Sequence, residues 1–319
     1  MNRSPVSRIL LATDFSDSAL LAHDYAAHLA SAFGASIDIL HVTERRRETE
    51  TDELLKYEEN IQSQLRIVER MLRNHGVPVT VRRVTGDPGA QILAAAREVD
   101  ADVIAMGLQG HTHVPYGLMG SSVDSVTKVG VCPVLTVPLP QKEASPCVLA
   151  EPGPVSIRRI LAAVDFSTPS LDSLECAARF AMGLRAELLL VHVVEPAHSD
   201  WDHIEMEAQA HIHTSWEVRL KELVDEAKAL GVFASYDIRG GLPADSILAG
   251  ALQHRCDLIV MGTHGRQGRD REQRGSVAEG VLKQATCPVL TVKNPKFLPG
   301  GRRLISTALI QQQDNVRHD

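Results

Sequence analysis

The chain has 319 residues, of which 44% are hydrophobic and 23% charged, and its formal net charge at pH 7 is −7. This length is about twice that of an ordinary domain, and the apolar content suffices for two sizeable cores. The small net charge and the 4% aromatic content exclude a polyanion-binding patch and a base-stacking surface for single-stranded nucleic acid.

Short β-rich segments alternate with helical patterns in the first half of the chain. Strands are predicted at residues 8–13, 37–42, 79–84, 102–106 and 134–137. The first helix has Ser16 or Asp17 as its N-cap, and the apolar residues at helical spacing on one face are Ala22, Ala26, Leu29 and Phe33. The second helix carries Ile61, Leu65, Val68 and Leu72 in the same way, the third begins at Pro88, and the fourth covers residues 121–129.

The second half of the chain repeats the first. RILLATDFS at residues 8–16 returns as RILAAVDFS at 159–167, and CPVLTV at 132–137 returns unchanged at 287–292. The offset is 151 residues for the first pair and 155 for the second, so four extra residues are expected between Val193 and Leu242. The counterpart of the second helix carries Trp216, Leu220, Leu223, Ala227 and Leu230. Units of about 135 residues indicate a duplicated domain, not a solenoid repeat.

A segment rich in proline and small residues, residues 138–156, separates the two copies and is typical of a linker. We therefore place the first domain at residues 1–140, the linker at 141–156, the second domain at 157–294 and a C-terminal tail at 295–319. Near-continuous apolar strands separated by helices predict an α/β fold. Each of the two tandem domains is expected to be Rossmann-like, with a five-stranded parallel sheet and helices on both faces.

The sequence also indicates a compartment. It contains no stretch of about 18 apolar residues that would span a membrane, and its N-terminus lacks the apolar run of a signal peptide. Scattered cysteines without a C-x-x-C pair are typical of a reducing compartment; they are Cys132, Cys147, Cys176, Cys256 and Cys287. We expect a soluble, cytoplasmic protein.

Glycines follow the fourth strand of each repeat in the pattern G-x2-G-x9-G-S, and a helix begins at the serine. The first copy consists of Gly107, Gly110, Gly120 and Ser121, and the second of Gly262, Gly265, Gly275 and Ser276. Glycines admit a close backbone approach, and a helix start offers unpaired N–H groups at the positive end of the helix dipole. The pattern therefore favours phosphate binding. The alternative is that these glycines merely end a strand and begin a helix.

An aspartate follows the first strand of each repeat, Asp14 in TDFS and Asp165 in VDFS. Such a carboxylate accepts hydrogen bonds from a ribose or caps the following helix, and the two roles are compatible. The chain contains no G-x-x-x-x-G-K-[ST] motif, which excludes a P-loop, and no G-x-G-x-x-G motif, which disfavours a dinucleotide-binding fold.

These residues resemble the ATP-binding branch of the universal stress protein family, as two UspA-type domains in tandem. The resemblance covers nearly everything except the linker and the tail. It implies adenine held near the end of the second strand by Val42 and Val193, largely through their backbone, with Ala12 and Ala163 flanking the base. It implies ribose contacts from Asp14 and Asp165. The residues it implies for the phosphates are the two sets of glycines and serines given above, with Ser122 and Val277 next in the helices.

The remaining polar residues suggest neither a metal site nor a catalytic group. His203, His211 and His213 form no compact cluster, so a solvated helix face is expected there instead of a metal site. His41 and His192 are expected to be structural, and Cys132 and Cys287 to be buried, inert thiols.

The nine-residue loops between the second and third glycines of the two motifs differ. HTHVPYGLM in the first unit contains His111 and His113, whereas RQGRDREQR in the second contains Arg266, Arg269, Arg271 and Arg274.

The first functional hypothesis is an ATP-binding, stress-responsive regulatory protein, with Mg²⁺ accompanying the phosphates and slow or no hydrolysis. Its expected partners are an adenine nucleotide, an unidentified protein and, in a homodimer, a second copy of the chain; nucleic acids and membranes are not expected. The alternative is a nucleotide-independent scaffold that acts through domain pairing and oligomerisation. An enzyme of the ATP-pyrophosphatase type would require S-G-G-x-D-S after the first strand, which TDFSDS and VDFSTP do not supply.

Overall fold

The computed structural model describes residues 4–44, 51–110, 119–139, 155–195, 206–263, 277–293 and 305, without the side chains of residues 51, 52, 54 and 206–213. The chain divides into two compact units, Met1–Ser156 and Ile157–Asp319. Each unit is described by itself below.

In the first unit, five strands and four helices alternate. In chain order they are β1 (Arg8–Ala12), α1 (Asp17–Phe33), β2 (Ser36–Thr43), α2 (Thr51–Asn74), β3 (Val79–Thr85), α3 (Pro88–Glu98), β4 (Val103–Gly107), α4 (Ser121–Val129) and β5 (Val134–Val137). All neighbouring strands pair in parallel, in the order β3-β2-β1-β4-β5.

The second unit has the same organisation. Its described elements are β6 (Arg159–Ala163), α5 (Thr168–Leu184), β7 (Glu187–Val194), α6 (Met206–Ala229), β8 (Ala234–Gly240), α7 (Pro243–Gln253), β9 (Leu258–Gly262), α8 (Val277–Gln284) and β10 (Val289–Val292). The parallel strand order β8-β7-β6-β9-β10 matches that of the first unit.

The apolar strands are buried on both faces by helices. In the first unit one cluster joins α3 and α4 to alternate strand residues such as Leu10, Leu40 and Ile104. The intervening strand residues, including Ile9 and Ile39, are also fully buried, and because side chains alternate along a strand they face the side of α1. The predicted α/β fold, with two Rossmann-like five-stranded parallel sheets, is confirmed.

Local signals set the helix boundaries. Ser16 and Ser167 are the N-caps of α1 and α5, and each side chain accepts a hydrogen bond from a backbone N–H of the first turn. Asp87 caps α3 in the same way, followed by Pro88 at the first helical position. The four extra residues of the second unit lie between β7 and α6, because the offset to the first unit is 151 residues at β7 and 155 at α6.

Among the residues that the structure describes, no helix is both long enough and apolar enough to cross a membrane. The four cysteines in this part of the chain are buried and form no disulfide among the described residues. Cys132 and Cys287, at the start of the last strand of each unit, are 0% and 6% exposed, as predicted for inert thiols.

Candidate functional site

The strand order creates a crevice at the carboxyl end of the first sheet. From the central strand β1 the chain first builds β2 and β3 on one side, and later β4 and β5 on the other. Open α/β sheets bind ligands at this reversal. Asp14 follows β1, Gly107 ends β4, and α4 begins after Gly120, so the predicted site residues converge on this crevice.

The Asp14 carboxylate is held by the residue that caps α1. Its Oδ1 accepts hydrogen bonds from the backbone N–H of Ser16 (3.0 Å) and from the Ser16 hydroxyl (2.6 Å). Asp14 is therefore not the helix cap itself, since Ser16 has that role. The other carboxylate oxygen faces the loop after β4, because a Cβ added to Gly110 would lie 3.0 Å from Oδ2 of Asp14.

Packing alone accounts for Gly107. A Cβ at this position would lie 2.6 Å from the backbone nitrogen of Ala19 and 2.7 Å from the carbonyl carbon of Ser18. Real Cβ atoms do not approach backbone atoms so closely, so any side chain here would push α1 away from β4. The structure thus gives Gly107 a packing role in the close contact of α1 with β4, and its role in phosphate binding stays a prediction.

Gly120 is different, because neither its conformation nor its packing against the described residues requires glycine. Its φ of −61° and ψ of 145° are accessible to any residue. Among the described residues, a Cβ would meet the Leu108 carbonyl oxygen, at an ordinary 3.5 Å. Gly120 is the N-cap of α4, and no side chain in the described part of the chain caps this helix. The half-buried Ser122 and the exposed Ser121 follow it. The result is a helix N-terminus whose first backbone N–H groups are capped by no described side chain.

On the other side of the crevice, Val42 presents backbone groups past the end of β1. Leu40 is the last β2 residue that pairs with β1, and its carbonyl accepts from Thr13 N–H (2.9 Å). Thr43 instead bonds toward β3, since its carbonyl accepts from Gly86 N–H (3.0 Å). Because successive residues of a strand direct these groups to opposite sides, the N–H and C=O of Val42 face the gap beyond β1.

An apolar surface lies beside these backbone groups. Ala12, which is 7% exposed, belongs to the core cluster that α3 and α4 cover. The partly buried side chains of Val42, Val84 and Met119 pack against the same cluster. Two of the residues predicted to flank a base, Ala12 and Val42, are therefore brought together by the fold.

The second unit reproduces most of this geometry. Oδ1 of Asp165 accepts from Ser167 N–H (2.9 Å) and from its hydroxyl (2.5 Å). Val164 N–H donates to Val191 (2.8 Å) and Gly241 N–H to Val194 (3.2 Å), so Val193 likewise directs its backbone groups past the end of β6. The half-buried Ala163 ends β6, Gly262 ends β9, and the exposed Val277 begins α8.

The rest of the predicted second phosphate loop lies outside the described residues, namely Gly265, Gly275 and Ser276 and the four loop arginines. So do His111 and His113 of the first loop and the side chains of His203, His211 and His213. Within the described part of the chain, no group of three or more His, Cys, Asp and Glu side chains is placed to hold a metal ion.

Two histidines that support the Asp14 turn are buried. The ring Nδ1 of His41 donates to the Thr13 carbonyl (2.9 Å), and the ring stacks on Phe15. His23, on α1, places Nε2 2.9 Å from the Thr13 hydroxyl. Burial lowers the pKa of His23 to about 4, although the Asp14 charge acts in the opposite direction. Sequence reasoning missed His23 and Thr13 as a pair, because His23 falls on the apolar face of a helix.

Comparison with known proteins agrees with this organisation. The model of the universal stress protein family matches residues 5–138 and again residues 156–293. A universal stress protein of Methanocaldococcus jannaschii is 35% identical over 146 residues, which are 44% of this chain and 84% of that protein. One of Synechocystis sp. is 24% identical over 314 residues and covers 90% of this chain and all of its own length.

A solved structure shows the same fold. The crystal structure of a universal stress protein from Archaeoglobus fulgidus superposes with a TM-score of 0.68 at 23% identity, over 91% of this chain and 99% of that one. The family model matches both halves of the chain and most of its length. The chain therefore belongs to the universal stress protein family, as a tandem of two such domains.

Proposed function

We propose that this chain is an ATP-binding, stress-response regulatory protein with one adenine-nucleotide site per domain and slow or no hydrolysis. The observation that carries the proposal is the start of α4, where Gly120 is the N-cap and no described side chain caps the helix. Neither packing among the described residues nor the backbone conformation accounts for this glycine. A phosphate group resting on the helix N-terminus accounts for it, because a side chain would occupy the same space.

The backbone of Val42 is the proposed base-recognition element. Its N–H and C=O face the gap beyond β1 and match the acceptor N1 and the donor N6 of adenine. Guanine reverses both polarities at these positions, and a mismatched buried hydrogen-bonding group costs about 1–3 kcal/mol. Adenine is therefore favoured over guanine. Val193 has the same role in the second site.

The proposed contacts to the ribose and to the phosphates are based on the same geometry. We propose that Asp14 accepts hydrogen bonds from the ribose hydroxyls, since Ser16 fixes its Oδ1 and its Oδ2 faces Gly110. Gly110, Gly120, Ser121 and Ser122 then line the phosphates. Asp165, Gly265, Gly275, Ser276 and Val277 are the counterparts in the second site. Mg²⁺ would neutralise phosphate charge, and we assign no protein side chains to it.

We propose that the bound nucleotide is a signal and not a substrate that is rapidly turned over. Nucleotide would order the glycine-rich loops and thereby change a surface that a partner protein or a second copy of the chain recognises. Any ATPase activity is expected far below the turnover typical of enzymes, about 10 s⁻¹. Rapid steady-state hydrolysis would place the protein among enzymes instead.

Calorimetric titration of the full chain with ATP and GTP tests the proposal. We expect two ATP molecules per chain, with GTP bound at least about tenfold more weakly because of the reversed polarity of its base edge. Absence of ATP binding up to millimolar concentration would overturn the nucleotide proposal and favour the nucleotide-independent scaffold.

A further inference from the structure

The two units fix the same aspartate turn in different ways. Phe15 and Phe166, each directly after the aspartate, adopt left-handed conformations with φ of 65° and 61°. This conformation is unfavourable for residues other than glycine by about 1–2 kcal/mol, and other contacts must therefore hold it. A histidine ring supports the turn in both units, since His192 Nδ1 donates to the Val164 carbonyl (2.7 Å) as His41 does to Thr13.

In the first unit a buried polar pair holds the turn. The Thr13 hydroxyl accepts from Phe15 N–H (3.1 Å) and bonds to His23 Nε2 (2.9 Å). Thr13 is 5% exposed and His23 1% exposed. The lowered pKa of His23 keeps the ring neutral at neutral pH, so no buried charge has to be offset. The residues on both sides of Asp14 are thus fixed.

The second unit lacks this pair and has a different support. Val164 and Leu174 occupy the positions of Thr13 and His23. Instead, Trp216 stacks on Phe166 with ring centroids 5.2 Å apart, and the Arg219 guanidinium lies 4.2 Å from the centre of the same ring.

The first unit in turn lacks the aromatic support. Ile61 and Gln64 occupy the positions that correspond to Trp216 and Arg219. Each unit therefore carries one of the two supports and lacks the other.

We propose that His23 is a positioning residue of the first nucleotide site. Through Thr13 it holds the turn that directs Asp14 toward the ribose, the function that Trp216 performs for Asp165 in the second site. This inference rests on the proposed function. It goes further in naming a buried residue that acts on ribose recognition without touching the nucleotide.

The test measures the binding of ATP and of 2′,3′-dideoxy-ATP to variants that also carry Gly275→Val, which is expected to prevent nucleotide binding at the second site. His23→Leu is expected to weaken ATP binding about tenfold, the cost of one misplaced hydrogen-bonding group. Binding of the dideoxy analogue should change less than about twofold, because it lacks the hydroxyls that Asp14 would bind. Asp14→Asn should show the same selectivity between the two ligands.

A double variant keeps the test decisive if His23→Leu folds poorly. Thr13→Val with His23→Leu reproduces the pair that the second unit already packs, and it should bind ATP as weakly as His23→Leu alone, since the two residues act together. Thr13→Ser, which keeps the hydroxyl, should bind like the parent.

Unchanged ATP binding by both His23 variants would overturn the inference, and so would an equal loss of ATP and dideoxy-ATP binding. If the parent itself binds no ATP, the proposed function fails first, and the inference fails with it.

Discussion

Replacing Gly120 by serine should stabilise the protein and remove one of the two proposed nucleotide sites. The backbone at Gly120 already has N-cap geometry, and a Cβ there would lie 3.5 Å from the Leu108 carbonyl oxygen. A serine hydroxyl could therefore accept a hydrogen bond from the N–H of Ser122 or Val123, which no described side chain caps. Better capping and a less flexible unfolded chain together contribute about 0.5–1 kcal/mol to the stability of the folded state.

The same side chain should block phosphate binding, because it fills the space in front of α4 and occupies the helix N–H groups. Calorimetry should show one ATP per chain instead of two, and thermal unfolding without nucleotide should shift upward by about 2 °C. The reasoning would be refuted if Gly120→Ser still bound two ATP molecules with unchanged affinity, or if it were destabilised.

Gly107→Ala is the matched control for this experiment. The added methyl group would lie 2.6 Å from the backbone nitrogen of Ala19, so α1 must move. Such overpacking costs about 1–3 kcal/mol, and the unfolding temperature should fall. One glycine of the motif would then be shown to matter for folding and another for binding. If Gly107→Ala and Gly120→Ser changed the unfolding temperature and ATP binding in the same way, the different packing of the two glycines would not determine their roles.

Three further predictions follow from described contacts and from the loop sequences. The pKa of His23 is about 4 in the folded chain against 6.5 for an unperturbed histidine, so the unfolded chain binds more protons between these pH values. As the pH falls from 6.5 to 4, the free energy of unfolding of the first unit should therefore decrease by up to about 3 kcal/mol. Thr13→Val with His23→Leu should remove that slope in urea unfolding, and an equal slope in parent and variant would contradict the assignment. Glu175→Ala should lower the free energy of unfolding by about 3–5 kcal/mol, because Glu175 is 2% exposed and binds Arg179 and the Ile305 N–H. Asp24→Ala, at the equivalent but exposed position of the first unit, is the control, and an equal loss of stability in both variants would refute the role of the contact with Ile305. Binding at the second site should weaken with salt more steeply than at the first, since arginine charges are screened over about 8 Å at physiological ionic strength; equal salt slopes for ATP in the two single-site variants would disprove this.

Sequence patterns predicted the fold because each local signal agreed with the next. Ser16, one of the two residues predicted as the cap of α1, is its N-cap. The strands predicted at residues 8–13 and 102–106 are β1 and β4 within one residue at each end. The repeat then doubled every signal. The spacing of apolar residues and the residue types at helix ends are local properties of the sequence, so they could be recognised without three-dimensional information.

The site itself was predictable only in part. Spacing assigned Gly107 and Gly120 the same role, and only the packing of α1 against β4 separates them. The contact between Thr13 and His23 joins a strand end to a helix interior, and nothing in the sequence marks a histidine on an apolar helix face as a partner of the residue beside Asp14. Such roles depend on tertiary contacts, which periodicity does not encode.

Native mass spectrometry of the intact chain, freshly purified and then titrated with ATP and Mg²⁺, tests the central claim most directly. The account predicts chain masses increased by one and then by two adenine nucleotides. Gly120→Ser should stop at one nucleotide, and the double variant with Gly275→Ser should bind none. A chain that carries no nucleotide after purification and acquires none at millimolar ATP would contradict the account.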